Sequence, residues 1–392
     1  MSHLRFMTAG ESHGKALLVI VEGAPAGIDL SEDYIRAQLA RRQQGYGRGK
    51  RQQIETDFAE IVSGVRFGKT MGGPIGLRIE NRDWQNQGWE TRMAVAPVDK
   101  EVERLTSMRP GHADLAGAIK YGLDDVRPVL ERASARETTA RVAASAVARR
   151  ILEAIGVSIH GHVVAVGEVR AEVPEQIDWA HVEASEVRCA DPVAEAKMIA
   201  RIDAAKEALD TVGGVFEVRA TGVPIGLGSF VHWDRKLDGR IAQAIVSMQA
   251  VKGVEIGGGF TTAALPGSEV QDVILPRDQW SDRPWRHATN RAGGLEGGVS
   301  NGEDVVVRGA LKPISTLQQP LPSADLLTAE LKPAFYERSD VCVVPAAAVI
   351  GEAMLALVLA DAVLEKFGGD NLRELLANYK AYMQTIGPRG TT

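Results

Sequence analysis

Residues 134–155, "SARETTARVAASAVARRILEAI", are the stretch on which the architecture turns. Ser134 followed three residues later by Glu137 has the form of a capping box, and Gly156 stands where a left-handed residue ends a helix. The spacing predicts one long helix. Its interior is largely alanine, whose small side chain lets neighbouring elements approach closely, so the helix is expected to be buried.

Outward from this helix, strands and helices are mixed without regular alternation. "LRFMTA" (4–9) and "ALLVIVEG" (16–23) read as short strands, and "SEDYIRAQLARRQQG" (31–45) as a helix capped by Ser31 and stopped at Gly45. "EIVSGVRFG", "GPIGLRIEN", "VSIHGHVVAVGEVRAEV", "GVFEVRATGV", "GVEIGGGFTTAAL" and "DVVVRGAL" read as further strands, with helices near 193–209, 235–251, 346–366 and 370–385. "TMGGPIGLRIE", "TVGGVFEVRATG" and "SNGEDVVVRGAL" share a turn-then-strand form that hints at an internal repeat. No linker divides the chain. The pattern gives an α+β fold and a single domain over residues 1–392.

At 392 residues, 45% hydrophobic and 24% charged, the composition is that of a globular chain with a large core. No uninterrupted apolar run reaches the roughly 20 residues of a membrane span, and "MSHLRFMTAG" has no signal-like apolar region. A cytoplasmic protein with no membrane partner is expected, with Cys189 and Cys342 as reduced structural thiols. The net charge of −6 disfavours nucleic acid as a partner. Residues 36–51, "RAQLARRQQGYGRGKR", nevertheless hold six basic residues and no acidic one, which suits a smaller anion.

Three clusters carry candidate chemistry. In "GESHG" (10–14), His13 lies on a glycine-flanked turn, where it is expected to be lightly shielded and free to present its ring. "MRPGHAD" (108–114) puts a second turn histidine, His112, beside Arg109 and Asp114. "RPVLERASARETTAR" (127–141) gathers Arg132, Arg136 and Arg141 at a helix start, which favours anions; a solvated helix end is the plainer alternative. "LKPIST" offers Lys312 and two hydroxyls. Arg338 and Asp340 of "YERSDVCVVPAA" read, taken alone, as a local ion pair. His160 and His162 share one strand face and are expected at its surface rather than as a metal pair. No metal site is expected.

Together these segments resemble the chorismate synthase family. "GESHG", "ERASARETTARVAA" and "RSDVCVVPAA" look like its three signatures, in order, and "RRQQGYGRGKR", "RPGHADLAGAIKYG", "MQAVKGVEIGGGF", "TNRAGGLEGG" and "LKPIST" also fit. Gly258 departs from the pattern, which commonly has an acid there. The resemblance implies a β-α-β sandwich with central helices between antiparallel sheets, assembled as a homotetramer. It implies a lyase that removes phosphate and a ring hydrogen from 5-enolpyruvylshikimate 3-phosphate by anti-1,4-elimination, giving chorismate.

It further implies reduced FMN (FMNH2), with NADPH as a possible reductant and an external flavin reductase as the expected partner. By family position His13, His112 and Asp340 are catalytic: His13 as general acid, His112 near the flavin N1–C2 edge, and Asp340 near N5. Flavin contacts fall on Arg132, Ala133, Ser134, Gln249, Ala250, Gly297, Lys312, Pro313, Ile314, Ser315, Thr316 and Arg338. Substrate contacts fall on Ser12, Arg42, Arg48, Arg109 and Arg136, with Arg42 and Arg48 alternatively assigned to NADPH.

Overall fold

The computed structural model describes residues 3–49, 56–86, 88–276 and 283–388. Lys50 and Arg51 of the basic segment, and residues 277–282 of the long loop near 266–302, lie outside them.

Nine strands form two antiparallel sheets. The first contains β1 (Arg5–Ala9), β2 (Ala16–Glu22), β3 (Ala59–Ser63) and β4 (Ile75–Glu80), in the spatial order β1-β2-β4-β3. The second contains β5 (Ser158–Val166), β6 (Val169–Arg170), β7 (Gly214–Thr221), β8 (Val251–Ile256) and β9 (Val305–Leu311), in the order β8-β9-β7-β5-β6. The principal helices are α1 (Glu32–Gln43), α2 (Asp114–Tyr121), α3 (Arg127–Ala133), α4 (Glu137–Glu153), α5 (Pro192–Glu207), α6 (Leu237–Val246), α7 (Val344–Phe367) and α8 (Leu372–Gln384).

Alternation along the strands supplies the inner faces: Leu17, Val19 and Val21 of β2 are buried while Leu18 and Ile20 are exposed. Helix α4 packs on β1 and β2, α7 packs on β5 and β7, and the two helices lie against each other. The sandwich is thus a helical layer between two sheets. The alanine reading of α4 holds, since residues 138–140 and 142–149 are all buried. Close packing is extreme around Phe216, where a Cβ added to Gly309 or Gly351 would sit 2.4 or 2.5 Å from the ring.

A repeat exists at the level of topology, though not among all three quoted segments: "TMGGPIGLRIE" and "SNGEDVVVRGAL" form fourth strands, whereas "TVGGVFEVRATG" forms the second strand of the second sheet. Set aside β6, and each sheet places its first, second, fourth and third strands side by side in that order, all antiparallel. Each has a helix between its second and third strands (α1, α6) and a long central helix after the fourth (α4, α7). Each also has a register irregularity between its third and fourth strands.

Several expectations change. The helix at 134–155 begins at Glu137, because Ser134 takes extended backbone and separates α3 from α4. Ser134 Oγ still accepts the Arg136 N–H at 3.2 Å, but Glu137 turns away to Arg141 and Thr8, so the box is only half formed. His162 is not on the surface: Trp179 covers that face, and His162 is fully buried with Nε2 3.1 Å from Glu217. Helix α7 is long and apolar enough to cross a membrane, yet it is the core helix, with 94% of its most apolar window buried.

Within α7, Glu352 is fully buried and holds three arginines. Arg41 Nη1 lies 2.7 Å from it, Arg149 also pairs with it, Arg188 lies 3.5 Å away, and the Gly161 N–H donates at 2.7 Å. Burial pushes the Glu352 carboxyl up, but Arg41 and Arg149 outweigh burial and hold it below the usual range. Glu183 takes second bonds from Arg41 and Arg188. This network fixes the end of α1, from which the glycine-rich part of the basic segment leaves.

Candidate active site

The β1–β2 turn carries Ser12 and His13. His13 is not lightly shielded, as the glycines suggest; it is buried, with its ring stacked on Trp89 at 3.8 Å and 10°. Glu131, at the end of α3, holds the turn. It accepts the Ser12 N–H on its main-chain oxygen at 3.1 Å and the His13 N–H on Oε2 at 2.7 Å, and its Oε1 lies 3.0 Å from His13 Nδ1. His13 Nε2 points the other way, 3.9 Å from Asp83, whose carboxylate also meets Arg338 at 3.4 Å. Burial raises the Glu131 carboxyl, but bonds from His13 and the charge of Arg127 leave it below its ordinary value.

Asn81 ties this turn to the arginines. Its Nδ2 donates to Glu11 O and Gly14 O at 3.0 and 2.7 Å, while Arg136 Nε donates to its Oδ1 at 3.0 Å. Ser134 Oγ donates to Ser12 Oγ at 3.1 Å. Arg42 donates to Thr138 Oγ1 at 2.9 Å and Ala135 O at 3.0 Å, and faces Asp57 at 3.7 Å. Burial pulls its guanidinium down to about 9 against the attraction of Asp57, and nearby Arg48 and Arg136 add to the fall. Arg48 pairs with Asp340 at 3.0 Å, and its buried Nε has no hydrogen-bond partner. Arg42, Arg48 and Arg136 thus gather around Asp57 and Asp340, a concentration of cations of the kind that attracts an anion.

A second group centres on Asp114, which accepts from Arg109 Nε at 2.9 Å and meets His112 Nδ1 at 2.5 Å. Burial raises the Asp114 carboxyl, but those bonds hold it far below its usual range. Arg109 Nη1 reaches Thr316 Oγ1 at 3.3 Å, and Lys312 Nζ donates to Gly111 O at 2.7 Å. Ile314 O accepts from Thr211 at 2.8 Å; Pro313 and Ser315 lie in the same turn. Thr316, Tyr336, Ser339 and Asp340 line one small cleft, which joins this group to the arginines.

A third group runs across the end of β1. Arg132 donates to Thr8 at 3.0–3.1 Å, Thr8 donates to Glu137, and Gln249 Nε2 reaches Glu137 at 3.4 Å. Ala250, in left-handed backbone at φ +69°, accepts the Lys312 N–H at 3.0 Å. Ala133 ends α3 between these groups. Gln249 buries Oε1 without a partner, an acceptor open to a ligand N–H.

Gly297 stands apart, in the turn of the hairpin Leu295–Glu296/Val299–Ser300 against Phe230; among the described residues no hydrogen bond joins it to the other flavin candidates. Gly258 lies before a single helical turn, its N–H on Arg291 O. Arg338 and Asp340 do not form the local pair; they go to Asp83 and Arg48. Among the described residues no cluster of metal-ligating side chains occurs.

Sequence reading missed Glu131, Asp57, Asn81, Asp83 and Trp89. Glu131 lies inside a quoted motif, three residues before Ser134, and an acid among arginines was a usable signal. Asp83 and Trp89 belong to a stretch with no periodicity, folded as a short 3₁₀ turn and one helical turn.

Comparison with known proteins gives the family and the fold. The family described as chorismate synthase matches residues 4–364. The chain is 57% identical to the chorismate synthase of Desulforudis audaxviator (strain MP104C), covering 98% of each. It is 56% identical to that of Moorella thermoacetica, covering 98% of this chain and all of the other. A crystal structure of chorismate synthase superimposes with a TM-score of 0.78 at 42% identity, again over 98% of each chain. A match of this extent, on a sandwich with the same mixed α+β make-up, shows that the chain belongs to the chorismate synthase family.

Proposed function

We propose that the chain, a lyase of the shikimate pathway by its family, converts 5-enolpyruvylshikimate 3-phosphate to chorismate with reduced FMN bound beside the substrate. The observation that carries this reading is the cluster of arginines next to a carboxylate-held histidine. The substrate brings one phosphate and two carboxylates, which suits the gathering of Arg42, Arg48 and Arg136 around Asp57 and Asp340. His13, ordered by Glu131, gives its Nε2 proton to the departing phosphate as the carbon–oxygen bond breaks. Ser12 and Arg109 complete the anion contacts.

The residues present fit a flavin: Gln249 Oε1 is an unpartnered buried acceptor, and Arg132 and Lys312 supply cations on the same rim. When bound, reduced FMN supplies an electron-rich ring to a reaction with no net redox change. The segments Arg132–Ser134, Gln249–Ala250 and Lys312–Thr316, with Arg338, would hold it. His112, fixed through Nδ1 to Asp114, has Nε2 left to hold a proton that it would share with the bound flavin, and Asp340 would help relay a second one. We place Arg42 and Arg48 on the substrate rather than on NADPH, since Arg42 feels the charges of both Arg48 and Arg136. Reduction by an external flavin reductase, a homotetramer and a cytoplasmic location complete the proposal.

Binding of polynucleotide is disfavoured by the fate of the basic segment: Arg41, Arg42 and Arg48 turn inward onto Glu352, Asp57 and Asp340. The deciding test is an anaerobic assay with substrate, with and without reduced FMN. Phosphate release only with reduced FMN supports the reading; release without flavin overturns it. His13→Ala should lower kcat by roughly 10²–10⁴ with little change in KM, and unchanged turnover removes His13 from the mechanism.

A further inference from the structure

We infer that Glu131 is the positioning residue for His13, fixing both the placement and the tautomer of its ring. The inference rests on the reading of His13 as the acid, but its main test does not. Glu131 is buried and lies one helical turn from Arg127, whose Nη1 is 3.4 Å from its carboxylate. The carboxylate therefore has little freedom of its own. It reaches the backbone and the ring of His13 at once, and Trp89 covers one ring face.

The charged groups facing the ring are Glu131 at Nδ1 and Asp83 at Nε2, with Arg127 and Arg338 behind them. A carboxylate accepts and does not donate, so Nδ1 keeps a proton in the neutral ring and in the charged one. An imidazolium that gives up its Nε2 proton is left in the Nδ1–H form. That is the tautomer Glu131 already accepts, so transfer needs no rotation of the ring. The same logic governs the orienting carboxylate of a serine-protease triad.

Glu131→Gln separates this role from that of an anchor for the turn. Glutamine can still accept the His13 N–H, and the Ser12 bond goes to the main chain. Its amide N–H, however, then faces Nδ1 and favours the Nε2–H tautomer. Histidine ¹⁵N NMR of the wild-type protein should show the neutral His13 ring protonated at Nδ1, and in Glu131→Gln at Nε2. In that variant kcat should fall roughly 10²-fold, less than the ~10⁴ loss in the protease because the backbone anchors survive, with KM within about threefold. Glu131→Asp should recover part of the loss.

A wild-type ring protonated at Nε2 overturns the inference whether or not any variant folds. So does a folded Glu131→Gln protein with the wild-type tautomer or unchanged kcat in the face of an inactive His13→Ala. If His13→Ala retains full turnover while the tautomers behave as expected, the acid assignment fails and the positioning of the ring stands.

Discussion

Arg48 places Nη1 3.0 Å from Oδ2 of Asp340, and the adjoining Gly49 donates its N–H to Oδ1 at 2.6 Å. The loop after α1 is thus already docked on the approach to α7, where glycine content alone suggests a free guanidinium. What is left for a ligand is the unpartnered Nε of Arg48.

Arg48→Ala should raise the KM for substrate by about 10- to 100-fold, the range for losing a charge-assisted hydrogen bond to an anion. Reduced FMN should bind within about twofold of wild type. Titrations of the two ligands on the same preparation check this, and equal losses for both would remove Arg48 from the substrate side.

The glycines of "GESHG" are not equivalent. Gly10 has φ +105° and an added Cβ would lie 2.4 Å from Ala16 O, whereas at Gly14 the nearest atom is the flexible end of Glu11 at 2.8 Å. Gly10→Ala should cost about 2 kcal/mol or more, and Gly14→Ala under about 1 kcal/mol. Urea midpoints of the two variants decide it; similar losses would refute the distinction.

Removing Glu352 leaves Arg41, Arg149 and Arg188 without their shared carboxylate in the core. Glu352→Ala should destabilise the protein by about 3–5 kcal/mol, the usual result of breaking a buried ion pair from one side. A loss below about 1 kcal/mol in chemical denaturation would mean that Glu183, on Arg41 and Arg188, and the Ile159 carbonyl, on Arg149, suffice without it.

Glu217 is fully buried and meets His162, Arg219 and Arg308. Burial raises its carboxyl, but the His162 bond and the Arg219 and Arg308 charges bring it to about 2. A depressed folded value contributes stability that is full above the unfolded value near ~4.3 and is lost as pH falls through that of the folded state. Wild type should therefore lose stability as pH falls from ~4.5 toward 2, and Glu217→Gln should flatten that limb. Melting temperatures across this range test it; parallel curves would exclude Glu217 as a source.

The strands and long helices were legible because their signals are local: Leu17, Val19 and Val21 alternate, Ser31 caps Tyr34 N, and alanine fills α4. The carboxylates of the site were not. Asp57, Asp83 and Glu131 matter because folding brings them against Arg42, Arg338 and His13 across the chain, and no spacing announces that. The glycines beside His13 pointed to exposure, yet burial came from Trp89, held in a segment without periodicity. Likewise Arg338 and Asp340, neighbours in sequence, went to separate partners.

The duplicated topology has a bearing on how the site can work. The run into α4 reads Glu131-Arg132-Ala133-Ser134, and the run into α7 reads Glu337-Arg338-Ser339-Asp340; Arg127 touches both leading glutamates, at 3.4 and 3.3 Å. One half of the chain brings His13, Arg42, Arg48 and Arg136; the other brings Gln249, Lys312, Arg338 and Asp340. Neither half is a site by itself. The proposed site is a seam, so its geometry depends on how α4 meets α7, and any slip along that contact would part His13 and its arginines from Gln249, Lys312, Arg338 and Asp340 without disturbing either sheet.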